Sequence, residues 1–232
     1  MHNIGLSSQF GLENHGLHNL KTVYWNLVPA ELTEHAILRQ EGQLSVSGSL
    51  IVSTGKHTGR SPADKFIANT ANVDNYVWWG EINRPIPPEK FQLIFHKMKA
   101  YLQGRDVFVQ DMLVGAHPAH QTRIRIISEK AWASLFAYNL FRRLSRRELI
   151  RFKPEYTLIH CPDFMAEPKE DGTHSSTVIA FDFQQNLVLI GGTSYAGEVK
   201  KAIFSVMNFI LPDQNILPMH CSANVGTRGD VA

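Results

Sequence analysis

The sequence predicts an α/β or α+β domain built around a mixed sheet. Three observations lead there. Apolar strand-like runs outnumber helical ones, and the two kinds do not alternate regularly as in a strictly parallel βαβ protein. No internal repeat, low-complexity segment or linker divides the 232 residues. Hydrophobic residues make up 44% and charged residues 19%, a globular composition long enough to bury a substantial core.

Taken in order, the first twenty residues are rich in Asn, Gly and His, lack periodicity and read as an N-terminal arm or frayed lead-in. Val23 to Leu27 is short and apolar. Pro29 to Gln40 has helical spacing, with Leu32, Ala36 and Ile37 on one face. Leu44, Val46, Leu50 and Val52 alternate around a Ser-Gly pair, as in a hairpin or bulged strand. A tight loop from Ser53 to Pro62 follows. Pro85, Pro87 and Pro88 precede a helix whose stripe is Phe91, Ile94, Phe95, Met98 and Leu102. Asp106 to Val114 and Thr122 to Ile127 read as strands, and Ala131 to Leu144 as an amphipathic helix. Ser145 with Glu148 forms a capping box for a short further helix. Tyr156 to His160, Thr177 to Phe183 and Leu187 to Ile190 are three more strands. The last runs into Gly191-Gly192, and a helix is expected from about Gly197 to Leu211.

Net charge is +2, too mild to indicate nucleic acid or an anionic membrane. The densest basic run, Arg142 to Arg151, reads as a solvated helix junction; a weak nucleic-acid contact there would be strongly salt-dependent. Two cysteines, Cys161 and Cys221, make neither a disulfide framework nor a zinc motif. With no signal-like N-terminus and no apolar run near ~18 residues, a cytoplasmic protein without membrane partners is expected.

The Gly55 to Ser61 loop fails as a phosphate loop, because three residues rather than four separate its glycines and Arg60-Ser61 replaces Lys-Ser/Thr. Arg60 could still offer a bidentate fork to a carboxylate or phosphate, or simply form an ion pair across a structural turn. His117 and His120, separated by Pro118, read as a polar loop rather than a metal site, as do His15 and His18. Asp163 and Glu167 to Asp171 read as a solvated acidic loop. Lys200, Lys201 and His220 follow the Gly-Gly turn, and spacing alone leaves them as surface lysines and a buried histidine.

Taken together, several segments are more specific. Thr58-Gly59-Arg60-Ser61-Pro62, Ala131-Trp132, Leu189-Ile190-Gly191-Gly192-Thr193, Tyr195-Ala196-Gly197-Glu198-Val199-Lys200-Lys201 and Met219-His220-Cys221-Ser222-Ala223-Asn224-Val225 stand in one order. That ordered set resembles the ATP-dependent phosphoenolpyruvate carboxykinase family, from about Tyr24 to the last residue. The resemblance implies a lyase of gluconeogenesis that converts oxaloacetate and ATP to phosphoenolpyruvate, CO2 and ADP. It implies Arg60 as the catalytic arginine on the substrate carboxylate, Tyr195 as a substrate and CO2 contact, and Lys201 and His220 as ligands of Mn²⁺ close to the nucleotide γ-phosphate. Lys201 would thereby touch substrate as well, and Mg²⁺ would accompany ATP.

The chain departs from the family at Gly115-Ala116-His117, where relatives commonly read Gly-Ala-Asp or Gly-Ala-Asn. The family also continues past Gly-Asp-Val-Ala into a phosphate loop, a metal aspartate and a second substrate arginine. The resemblance therefore implies an arm over 1–20, a substrate-side N-terminal domain over 21–218, and over 219–232 the start of a C-terminal nucleotide-binding domain. Such a piece is expected not to catalyse alone. The alternative function is a non-catalytic module binding a small dicarboxylate.

Overall fold

A computed structural model describes residues 2–71 and 73–232; Met1, which opens the expected arm, lies outside them. The strands are β1 (His2–Gly5), β2 (Thr22–Trp25), β3 (Gln43–Leu44), β4 (Leu50–Ile51), β5 (Lys65–Ala68), β6 (Arg84–Ile86), β7 (Val107–Val114), β8 (Thr122–Ser128), β9 (Tyr156–Cys161), β10 (Val178–Asp182) and β11 (Leu187–Gly191). The helices are α1 (Pro29–Leu38), α2 (Pro88–Leu102), α3 (Ala131–Leu140), α4 (Arg146–Ile150), α5 (Pro168–Asp171) and α6 (Gly197–Ile210). Nine strands form one mixed sheet in the order β1-β2-β7-β8-β9-β11-β10-β5-β6, and β3 and β4 form a separate antiparallel hairpin. The mixed-sheet α/β expectation therefore holds.

Period-two alternation decides which side of the sheet each residue faces. Leu187 and Leu189 join one core cluster, with the buried α2 stripe Phe91, Ile94, Phe95, Met98 and Leu102. Val188 and Ile190 join another, with Val199, Ala202, Ile203 and Val206 of α6. A third cluster unites Leu32 and Ala36 of α1 with Phe108, Ala131 and Trp132. The result is three layers, with α2 on one face of the sheet and α3 and α6 on the other. Complete burial of Phe91, Ile94 and Met98 stabilises the α2 layer by about 1.5–3 kcal/mol per side chain.

Several elements differ from the sequence reading. The N-terminal segment is fastened rather than frayed. β1 pairs in parallel with β2, and Leu12, Leu17 and Leu20 are almost fully buried in the α2 core. Arg125 also donates to the Phe10 carbonyl and the Ser8 hydroxyl, both at 2.6 Å. His15, read as loop, is half-buried, with its Nε2 3.3 Å from Arg125 Nη1. Helix α3 stops at Leu140, because Phe141 is extended and Arg142 exchanges two backbone hydrogen bonds with Leu113 of β7, each 2.9 Å. Asp171 is not solvated: it is fully buried, accepting from Lys97 Nζ and the Glu167 amide, each at 2.7 Å. The Ser145–Glu148 capping box forms as expected.

His160, near the C-terminal end of β9, is fully buried between Trp132 and the turn after β11. Its Nε2 donates to the Thr193 carbonyl at 3.1 Å, while its Nδ1 has no partner among the described residues. Burial holds its pKa down at about 4, and burial together with Arg125 does the same for His15. Both rings stay neutral when folded but bind a proton once unfolded at pH below about 6.5. Stability is therefore full above that pH and falls as pH drops from about 6.5 towards about 4. The loss expected is about 3 kcal/mol for fully buried His160 and less for half-buried His15. Urea unfolding of wild type and His160→Gln across this window checks it: the variant should show a shallower slope, and parallel curves would contradict the assignment.

Candidate active site

Strand directions explain why distant residues meet. β9 and β11 run parallel, so Cys161 and Gly191 end on one edge of the sheet. β10 is antiparallel to β11, which brings Val178 to that edge, and β5 runs parallel to β10, which brings Lys65 there too. The loop carrying Arg60 enters β5 at this edge. The Gly191-Gly192 turn leaves β11 at the same edge and feeds α6, which carries Lys201.

The turn requires its glycine. Gly192 sits at φ +73°, and a Cβ there would lie 2.6 Å from the Ser176 carbonyl oxygen. Both left-handed strain and a collision with rigid backbone oppose any side chain. Gly192→Ala is expected to lower stability by about 2 kcal/mol in denaturant titration; an unchanged midpoint would show that the turn relaxes freely.

Among the expected site residues, Lys201 and His220 meet on Phe204, and the charge of Arg60 lies near enough to lower the pKa of both. Arg60 is exposed, and its guanidinium makes no hydrogen bond or ion pair among the described residues. The Lys201 amine lies 5.4 Å from the centroid of the Phe204 ring, and the His220 ring sits against that same phenyl at 5.6 Å. Phe204, one turn beyond Lys200, is thus the shared platform for a lysine on α6 and a histidine from the exposed tail. Desolvation, then Arg60 and Lys200, lower the Lys201 pKa. His220 is pushed down chiefly by Lys201, then by desolvation, Lys200 and Arg60. Desolvation of Lys201 and crowded positive charge around His220 therefore shift both groups towards their neutral forms.

Tyr195 is half-buried at the start of the same segment. Its carbonyl accepts the Glu198 amide at 3.0 Å, and its own amide donates to Thr193 Oγ1 at 3.1 Å. Its hydroxyl has no hydrogen-bond partner among the described residues, so it is not tied to Arg60, Lys201 or His220.

Three further residues belong to this edge. Lys65, the first residue of β5, donates to Ser205 Oγ at 3.1 Å, and burial followed by Arg60 lowers its pKa. Glu198 accepts the Ser61 amide at 2.7 Å, and His57 lies within hydrogen-bond distance of Ser61 and Thr177. Glu198 was visible in the sequence as an acid one turn before Lys201, but its partner 137 residues away was not. His117 and His120 stay apart from this edge as a polar loop, with His120 Nδ1 2.8 Å from Gln214 Oε1.

No group of three His, Cys, Asp or Glu side chains that could hold a metal exists among the described residues. Cavities of about 510 and 710 Å³ open elsewhere, the first beside His15 and Lys99 and the second beside Arg123, Arg147 and Arg151. No helix among the described residues is long and apolar enough to cross a membrane.

The family model for phosphoenolpyruvate carboxykinase matches residues 21–232. The chain belongs to the ATP-dependent phosphoenolpyruvate carboxykinase family. The phosphoenolpyruvate carboxykinase (ATP) of Geobacter sp. strain M21 is 48% identical over 222 residues, covering 96% of this chain and 42% of the relative. The phosphoenolpyruvate carboxykinase (ATP) 1 of Moorella thermoacetica is 49% identical over 227 residues, covering 98% and 43% respectively. That of Thermus thermophilus is 46% identical over 226 residues, covering 95% and 42%. The chain thus spans less than half the length of these carboxykinases.

Proposed function

We propose that the chain supplies the substrate-facing part of a cytoplasmic phosphoenolpyruvate carboxykinase (ATP), which converts oxaloacetate and ATP to phosphoenolpyruvate, CO2 and ADP. The supporting observation is the convergence of Arg60, Lys201 and His220 at one sheet edge, from segments that lie far apart in sequence. In this reading Arg60 grips the substrate carboxylate with its free guanidinium fork. Tyr195 flanks substrate and CO2 with an uncommitted hydroxyl. Lys201 contributes to substrate binding, and Lys65 adds to the positive field behind Arg60.

The Lys201 and His220 pair fits Mn²⁺ in one respect that matters: a metal ligand must offer a lone pair, and both groups are held towards their neutral forms. They would hold the ion as two nitrogen donors of a larger set. Bound there, it would supply Lewis-acid charge beside the reacting oxygens. The chain's own groups do the orienting. Arg60 fixes the carboxylate end of the substrate, and positive charge on this edge favours the oxyanion that develops when a β-keto acid loses CO2. The contacts to ATP, its phosphates and their Mg²⁺ fall to the remainder of a full-length polypeptide, in its C-terminal nucleotide-binding domain.

Lys201→Met and His220→Ala test this reading in the polypeptide completed to its relatives' full length. Each is expected to raise the Mn²⁺ concentration for half-maximal turnover by roughly tenfold or more. Wild-type metal dependence in both variants would remove the metal assignment.

A further inference from the structure

We infer that Glu198 is a positioning residue, whose carboxylate holds the Arg60 loop against α6 so that the Arg60 guanidinium and the Lys201 amine face one anion. The inference rests on the reading of Arg60 and Lys201 as anion-binding groups given above.

Glu198 lies in the first turn of α6, three residues before Lys201, and is only 6% exposed. Its Oε1 accepts the backbone N–H of Ser61, the residue after Arg60, at 2.7 Å. An ionised acceptor in a partly buried place makes this one of the stronger hydrogen bonds available to a loop. A second tie acts on the same residue. The Thr177 hydroxyl has one proton and gives it to the Gly192 carbonyl at 3.1 Å, so towards His57 Nε2, also at 3.1 Å, it must accept. His57 therefore carries its proton on Nε2, and its Nδ1 accepts from the Ser61 hydroxyl at 3.2 Å. Ser61 is thus held by its amide to α6 and by its side chain, through His57 and Thr177, to the Gly191-Gly192 turn. Tyr195 lies between these two anchor points.

Electrostatics alone gives Glu198 no reason to be here. A carboxylate that attracts Arg60 and Lys65 also repels an incoming anion. Its mechanical role and its charge therefore make opposite forecasts, which allows a decisive test. Phosphoenolpyruvate is titrated calorimetrically into wild-type chain, Glu198→Met, Glu198→Gln and Arg60→Ala, and into the Glu198→Met/Arg60→Ala double variant. Met keeps the bulk but removes the acceptor, and is expected to weaken binding about tenfold, the scale of one charge-assisted hydrogen bond. Gln keeps an oxygen for the Ser61 amide and should bind at least as tightly as wild type. On the Arg60→Ala background, Glu198→Met should cause no further loss. Binding by Glu198→Met equal to or tighter than wild type would overturn the inference.

Amide hydrogen exchange at Ser61 reads the anchor without ligand. Protection lost in Glu198→Met and kept in Glu198→Gln supports it, and equal protection in all three proteins overturns it. A wild-type chain that shows this exchange pattern but does not bind phosphoenolpyruvate would remove the anion-site reading while leaving the Glu198 anchor intact.

Discussion

Replacing Asp111 with Ala is expected to cost about 3–5 kcal/mol of stability, enough to unfold much of a marginally stable domain. Asp111 on β7 and Arg125 on β8 are directly opposite each other in the sheet, and both side chains are fully buried. The carboxylate takes two guanidinium hydrogen bonds, at 2.7 and 2.9 Å. Arg125 directs its remaining donors to the Phe10 carbonyl, the Ser8 hydroxyl and His15 Nε2, and its guanidinium carbon lies 5.0 Å from the centroid of the Trp25 ring. Without Asp111 the guanidinium keeps its charge in an apolar setting with no counter-ion, and that uncompensated charge is the source of the loss. The N-terminal segment should loosen first, because the same guanidinium anchors it. Urea titration with amide exchange over residues 2–20 measures both effects. A variant as stable as wild type would show that water reaches this pair.

Arg60→Ala carries the largest expected functional effect, a loss of affinity for phosphoenolpyruvate of about 100-fold. The guanidinium is exposed and has no hydrogen-bond partner among the described residues, while the loop beneath it is fastened through Ser61. A fork held in place and left without a partner contributes little to folding. The variant should therefore unfold at the same denaturant concentration as wild type, which separates loss of binding from loss of structure.

Much of the fold was legible because its signals are local. The stripe of α2 repeats at helical spacing, and the inner strands are near-continuous apolar runs, as strands buried on both faces must be. β1, β5 and β6 were not legible. Each has only three or four residues, and β6 contains Pro85, which an edge strand tolerates because it leaves no ladder donor unmet. Asp171 was misread because an acidic stretch looks solvated until Lys97, 74 residues earlier, is seen to reach it. The end of α3 was misplaced for a related reason: backbone pairing of Arg142 with Leu113 outweighs the helical propensity of residues 141–144.

The site divides along the same line. Glycines, the arginine loop and the Lys200-Lys201 helix are each visible as motifs, and the ordered resemblance pointed to Arg60, Tyr195, Lys201 and His220. The approach of the Arg60 loop to α6 depends on β10 reversing direction against β11, which no local spacing encodes. Lys65, His57 and Glu198 act through partners on other segments, so their roles became visible only once the sheet was assembled.

In the proposed function, the Arg60 loop and α6, distant in sequence, build one anion site. Calorimetric titration of phosphoenolpyruvate with Mn²⁺ into the wild-type chain and into Arg60→Ala tests it most directly. Saturable binding by wild type, weakened about 100-fold in an Arg60→Ala protein of unchanged stability, is the expected result. Equal affinity in the two proteins, or no binding by a folded wild-type chain, would contradict it.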